Sequence, residues 1–330
     1  MRSKDDLFKG LGVRVKLNDP DDYFLGLLDI PLDGRISDFG FEIDKKIASR
    51  SISWNDGVVN LTISKIKIGQ YEILLNFAKQ YNIDYLKHEN INSKDFIEKI
   101  KKYSCDLFVS MSFNQIFKSE IINLPPLKTI NCHAGKLPFY RGRNILNWAL
   151  INDEKEFGIT VHYIDEGIDT GDIILQNSYC ISDKDNYKTL LERAYTDCAD
   201  ILYSAISLFK KGIPTSTKQN EINEVGFYCS QRKEGDEILD WNQTSREIFN
   251  FVRAICYPAP MARAFLNGIE MKINRAEFIE NAQNYKCIVG AILNKEKDGS
   301  FLVKTKDSFI RIIDFEYNGK FKVGDRFDVK

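Results

Sequence analysis

The sequence predicts an α/β domain built on a parallel sheet, followed by a smaller β-rich, barrel-like module. From about Asp56, short apolar runs alternate with segments of helical period, as strand–helix–strand units require. An apolar stripe of helical spacing then runs over 185–211, and Gly212 and Pro214 stop it. Beyond residue 215 the apolar runs are short and divided by polar turns, with one helix among them. The two domains predicted are therefore 1–214, within which 1–55 is the least regular part, and 215–330.

The elements follow in order. Val13, Val15 and Leu17 alternate as a strand would, and Asp19-Pro20-Asp21-Asp22 ends it. The run 58–63 is a strand, 71–81 a helix carrying Ile73, Leu74, Leu75, Phe77 and Ala78, and 96–103 a second helix. Strands are predicted at 106–110 and 128–132, the latter leading directly into His133. A helix over 144–152 and a β-branched strand over 158–164 complete the alternation. On the long helix, Leu190, Leu191, Ala194, Cys198, Ile201, Leu202 and Ala205 repeat as a core face, with a homodimer interface as the alternative reading. The polar stretch 215–224 reads as a linker. In the second domain a helix over 245–255 precedes strands at 288–293, 301–303 and 309–313. Lys297-Asp298-Gly299 and Asn318-Gly319-Lys320 supply turn chemistry.

A formal charge of -1 argues against a protein held on nucleic acid by bulk electrostatics. The seven cysteines are odd in number and show no Cys-x-x-Cys spacing, which predicts free thiols and neither a zinc site nor a disulfide framework. Residues 1–6 lead into no apolar segment of the signal-peptide kind, and no run of about 18 apolar residues would span a membrane. A cytoplasmic protein without a metal, a membrane or a nucleic acid partner is expected.

Two stretches carry the chemistry. Asn131-Cys132-His133 precedes Leu137-Pro138-Phe139-Tyr140-Arg141-Gly142, and Asp169 follows His133 by 36 residues within Asp165-Glu166-Gly167-Ile168-Asp169-Thr170-Gly171-Asp172. Asn131 and His133 are two apart on a strand, so their side chains leave the same face. Asp169 lies in a loop after the next strand, able to fold back over the sheet end where open α/β sheets bind ligands. Acyl transfer to an amine needs donors for an oxygen that gains charge and a group to take the ammonium proton. An amide and an imidazole supply these, and a carboxylate fixes the imidazole tautomer and raises its pKa. Alone, His133 reads as a satisfied structural residue and Asp169 as a turn residue; the joint pattern favours a catalytic site. His88 and His162 lack such a neighbourhood and read as structural or surface residues. No Gly-x-Ser-x-Gly elbow or Gly-x-Gly-x-x-Gly after a strand occurs, which excludes a serine hydrolase of that type and a dinucleotide site.

On these residues, the segment 106–176 resembles the catalytic core of the formyltransferases that use N10-formyltetrahydrofolate. Its Asn-x-His motif matches Asn131 and His133, and its catalytic carboxylate matches Asp169. Gly235 to Trp241 and Ile255-Cys256-Tyr257-Pro258 resemble the opening of the family's C-terminal domain, whereas residues 1–53 do not match its N-terminal opening. The resemblance implies a Rossmann-like catalytic domain, a β-rich C-terminal domain in many members, and no metal. It also implies a pterin held near Phe113, Gln115, Ile116 and Phe117 and by backbone of Asp165, Glu166, Gly167 and Ile168.

For the acceptor amine, residues 221–330 hold 17 Lys+Arg and 17 Asp+Glu, a poor platform for tRNA phosphates. The Tyr140-Arg141-Gly142-Arg143-Asn144 run, with Trp148, resembles the nucleotide-sugar branch of the family. Arg141, Arg143 and Asn144 would there orient sugar or diphosphate, and Tyr228, Arg232 and Lys233 would clamp base or diphosphate. Solvated surface is the alternative for each charged side chain. The expected reaction is formylation of a dTDP- or UDP-linked amino-deoxyhexose for bacterial surface polysaccharide, with methionyl-tRNA as the alternative acceptor. A binding module with a vestigial loop is a third reading, disfavoured by the intact triad.

Overall fold

The computed structural model describes residues 90–328 except 112 and 114, the four strands within 13–63, and positions 79, 84 and 86. In chain order the strands are β1 Val13–Leu17, β2 Tyr23–Gly26, β3 Ile52–Asn55, β4 Val58–Ile63, β5 Phe108–Met111, β6 Thr129–His133, β7 Arg141–Gly142, β8 Glu156–Tyr163, β9 Ile173–Cys180, β10 Tyr228–Cys229, β11 Ala262–Leu266, β12 Ile269–Glu277, β13 Ile292–Lys295, β14 Phe301–Lys304 and β15 Phe309–Tyr317. The helices are α1 Lys94–Lys101, α2 Ser119–Ile122, α3 Ile145–Ile151, α4 Tyr187–Phe209, α5 Gln219–Ile222 and α6 Ser245–Ala254. The helix expected over 71–81 lies outside the described residues apart from Lys79, and so does His88. Two compact units result. The first comprises Met1–Arg141, Gly158–Asn177 and Ala194–Gly226, and the second Gly142–Phe157, Ser178–Arg193 and Phe227–Lys330.

In the first unit β1 pairs in parallel with β4, Arg14 opposite Asn60 and Leu17 opposite Ile63. A second sheet has the order β5-β6-β8-β9. There β5 and β6 run parallel, while β8 lies antiparallel to β6, so the sheet is mixed. Residues 157–162 of β8 are buried without interruption, as a strand covered on both faces requires. Helix α1 starts at Ser93, whose hydroxyl accepts from Phe96 N and so satisfies one of the orphan amides of the first turn. Its Phe96 packs with Ile91 and Ile121, and with Phe113 and Phe117 around them.

In the second unit, Thr244 and Glu247 form a reciprocal capping box that starts α6. Asn147 of α3 donates to Ala254 O of α6 at 2.6 Å. Arg246 of α6 pairs with Asp153, at 2.5 Å, and with Asp183, at 2.6 Å. The five antiparallel strands run in the order β11-β12-β15-β14-β13. Single bridges from Leu266 to Phe327 and from Ala291 to Arg326 connect the two edges through the last strand-like residues. That connection gives the barrel-like form expected. Trp241, Phe301 and Phe327 fill its interior, with the Trp241 and Phe327 rings 4.7 Å apart. The hairpin β11–β12, absent from the sequence reading, turns at Asn267-Gly268, whose φ values are +52° and +73°.

Candidate active site

β6 delivers Asn131 and His133 to the sheet end, and β8 sets His162 opposite Asn131 and Thr160 opposite His133. Directly opposed residues share a face, so these four side chains line one side of the pair. Asp169 comes from the loop between β8 and β9 and has φ +54°, a left-handed conformation that Asp adopts more readily than most residues. Its carboxylate reaches both strands. Asp169 Oδ2 is 3.6 Å from His133 Nδ1, and Oδ1 is 3.6 Å from His162 Nε2 and 3.5 Å from Asn131 Nδ2.

Hydrogen-bond partners fix the tautomers. His133 Nε2 lies 2.7 Å from Tyr140 O, and a carbonyl only accepts, so Nε2 carries a proton. Nδ1 is then the titrating nitrogen, facing Asp169. By the same reasoning His162 Nδ1 donates to Tyr163 O at 2.7 Å, and its Nε2 accepts from Asn131 Nδ2 at 3.3 Å. Burial pushes the His133 pKa below its ordinary value; the Asp169 charge and the Tyr140 carbonyl oppose that shift.

The surrounding loops are pinned closely. Thr160 Oγ1 donates to Gly135 O at 2.7 Å, while Gln176 Nε2 donates to Thr160 Oγ1 and Leu137 O, both at 2.8 Å. A Cβ on Gly135 would sit 2.5 Å from Tyr140 O and collide with His133 Nε2, so only glycine lets that ring take its place. Asp165 Oδ1 accepts from Gly167 N at 3.1 Å and from Thr170 Oγ1 at 2.5 Å, which shapes the loop that carries Asp169. A Cβ on Gly171 would overlap Tyr163 O.

The structure thus gathers Asn131, His133 and Asp169, and adds His162, whose neighbourhood is this same cluster and which the sequence reading set aside. Of the residues named for the pterin, Phe113 and Phe117 pack with ring centroids 5.5 Å apart. Gln115 Oε1 accepts from Ile91 N at 3.0 Å. Ile116 and Ile168 expose 63% and 50% of their surface, respectively, an apolar surface open to a ligand. Glu166 and Gly167 are also exposed.

The residues named for the nucleotide are divided. Arg141, in the first unit, donates through Nε and Nη2 to Gln219 Oε1 at 3.0 and 2.7 Å. In the second unit Arg143 donates to Gln231 Oε1 at 3.0 Å, and Asn144 Oδ1 accepts from Arg232 N at 2.9 Å. Arg232 also donates to Asp236 O at 2.7 Å and lies over the Phe251 ring. Lys233 N donates to Asp236 Oδ2 at 2.6 Å; Tyr228 is exposed. Sequence reasoning missed His162, Thr160, Gln176 and Gln219. Only the alternation of Thr160 and His162 along β8 offered a signal for any of them.

The family model "Formyl transferase" matches residues 52–206, and "Formyl transferase, C-terminal domain" matches 232–324. A methionyl-tRNA formyltransferase of Fusobacterium nucleatum is 36% identical over 73% of this chain and 77% of its own length. One from Thermodesulfovibrio yellowstonii is 35% identical over 74% and 76%. The crystal structure of WlaRD, a sugar 3N-formyl transferase with dTDP and 5-N-formyl-THF, superposes with a TM-score of 0.55 at 25% identity, over 81% of this chain and 89% of its own.

These relatives overturn the expectation of a nucleotide-linked amino sugar and of a role in surface polysaccharide, and with it the expectation that no nucleic acid partner exists. The physical reasons are plain. A domain's net charge sums all its faces, whereas phosphates meet only the charges turned toward them. The Arg141 and Arg143 side chains, on which the sugar reading leaned, have glutamine partners within the protein.

Proposed function

This N-formyltransferase belongs to the formyltransferase family, whose formyl donor is N10-formyltetrahydrofolate, and we propose that its acceptor is the free amino group of methionyl-tRNA. The observation that carries the proposal is the identity of 36% and 35% to methionyl-tRNA formyltransferases over about three-quarters of both chains. The cluster at Asn131, His133 and Asp169 supplies the chemistry.

In this reading the amine nitrogen bonds to the formyl carbon as the carbonyl electron pair moves onto oxygen. Asn131 Nδ2 donates to that oxygen; its 3.5 Å contact to Asp169 is the longer of its two and the one exchanged. The ammonium proton passes to His133 Nδ1, since Nε2–H is committed to Tyr140 O. The Asp169 carboxylate faces the imidazolium so formed. The donor nitrogen then takes a proton as its bond to the formyl carbon breaks, and neutral His133 returns. We assign folate contacts to Phe113, Gln115, Ile116 and Phe117 and to the loop 165–168, supported by the exposed apolar surface of Ile116 and Ile168. Among the described residues no helix is long and apolar enough to cross a membrane, and seven free cysteines suit a reducing, cytoplasmic setting.

The test is a panel of acceptors offered with N10-formyltetrahydrofolate: methionyl-tRNA, uncharged tRNA, and dTDP- and UDP-linked amino-deoxyhexoses. Turnover confined to methionyl-tRNA is expected. Turnover confined to a sugar nucleotide would overturn the acceptor.

A further inference from the structure

The polar stretch 215–224 holds a side chain that the chemistry above leaves unused. Gln219 is only 4% exposed, although it opens a four-residue helix in a segment of linker composition. Its Nε2 donates to two backbone carbonyls of the catalytic loop, Asp169 O and Gly171 O, each at 2.8 Å. Its Oε1 accepts both Arg141 contacts, at 3.0 and 2.7 Å. Arg141 follows Tyr140, whose carbonyl holds His133 Nε2. The contacts therefore close a ring, from His133 to Tyr140, Arg141, Gln219 and Asp169, and back to His133 Nδ1. Reciprocal backbone bonds between Thr217 and Ile173, both 2.8 Å, tie the same segment to the far side of the loop. Gly226 closes against Pro138 O and the Arg141 guanidinium, where a Cβ would stand 2.6 and 2.8 Å away.

We infer that Gln219 is a positioning residue for formyl transfer, holding the left-handed turn at Asp169 so that its carboxylate meets His133. The amide is suited to this because it donates on one side and accepts on the other. A carboxylate could keep Arg141 but would oppose two carbonyls, and an aliphatic side chain would leave both sets of partners unsatisfied. The inference rests on the reading of Asp169 and His133 as catalytic. It adds that their alignment depends on a residue fifty positions away in the chain.

Two variants test it. Gln219→Glu retains the Arg141 partner and Gln219→Ala removes both contacts; thermal unfolding reports whether each folds. The first readout needs no acceptor. The chain has three histidines, so their ring protons can be followed by NMR against pH. The groups facing His133 are Asp169, His162 and the Tyr140 carbonyl. Displacing Asp169 removes the one negative charge among them, so the His133 midpoint should fall by at least about half a pH unit in either variant. The second readout is kcat in a double-mutant cycle. Gln219→Glu should cost about tenfold or more in the wild-type background and less than about threefold in Asp169→Asn. An unchanged His133 midpoint in a folded variant would overturn the inference, as would an equal loss in both backgrounds. Full activity of Asp169→Asn would instead sink the catalytic reading on which it rests.

Discussion

His162 Nε2 and Asp169 Oδ1 stand 3.6 Å apart, the same separation as His133 Nδ1 and Asp169 Oδ2. One carboxylate thus faces two imidazoles, an oxygen to each. Its approach to His162 would set a lone pair against a charge, because His162 Nδ1 is the protonated nitrogen. The Asn131 amide separates them, with Nδ2 directed to His162 Nε2 at 3.3 Å and to Asp169 Oδ1 at 3.5 Å.

His162 therefore sets which way the Asn131 amide points. His162→Ala should lower kcat about tenfold by freeing that amide, and destabilise the fold by about 1–3 kcal/mol because the half-buried Asn131 amide and Tyr163 O each lose a hydrogen-bond partner. Steady-state kinetics with thermal unfolding checks both; unchanged kcat would remove His162 from the site.

The arrangement distinguishes two substitutions at Asn131. Asn131→Ala removes an oxyanion donor and should cost on the order of 10²–10³ in kcat. Asn131→Asp should cost more, because it sets a second carboxylate beside Asp169 and the His162 lone pair. If the two variants are equally active, the amide is not acting as this donor.

Gly135→Ala is expected to reduce turnover at least about tenfold, since the new methyl group would crowd Tyr140 O and the His133 ring. Chemical shifts of the three histidines would show which ring moves. Displacement of His133 is the expected outcome.

Two titrations have opposite origins but the same sign. Burial lowers the His133 pKa, so between that lowered value and about 6.5 the unfolded chain takes the proton first, and stability falls as pH falls. At Asp153 burial works against ionisation, yet hydrogen bonds from Arg246, Lys155 and Asn250 hold its pKa down at about 2. Its contribution is present above the ordinary carboxylate pKa of about 3.9 and disappears as pH falls toward 2. Asp153→Asn should cost about 1 kcal/mol at neutral pH, solvent screening included, and nothing in strong acid. Denaturation of wild type and variant at several pH values measures the difference.

How far the sequence could be read depended on whether burial follows a period. β6 and β8 are buried almost throughout and α4 carries a regular apolar stripe, so all three stood out. β9 is buried only in its first two residues and then emerges, which erases the alternation. β11 alternates, but through Ala262, Ala264 and Leu266 around Arg263, too small a contrast to notice beside the Asn267-Gly268 turn that should have marked the hairpin. Within the site, Asn131, His133 and Asp169 were found because three polar groups recur around one chemistry. Gln219 was hidden because a buried amide satisfied by backbone carbonyls leaves no pattern in composition. The acceptor was misjudged because charge was totalled where its distribution mattered.

The most direct measurement is the rate at which labelled formyl passes from N10-formyltetrahydrofolate to methionyl-tRNA, for wild type and for His133→Ala, each confirmed folded. Saturable transfer by wild type, slowed by at least about 10² in the variant, is predicted. Equal rates in both proteins, or no transfer to methionyl-tRNA by a wild type that formylates an amino sugar, would contradict it.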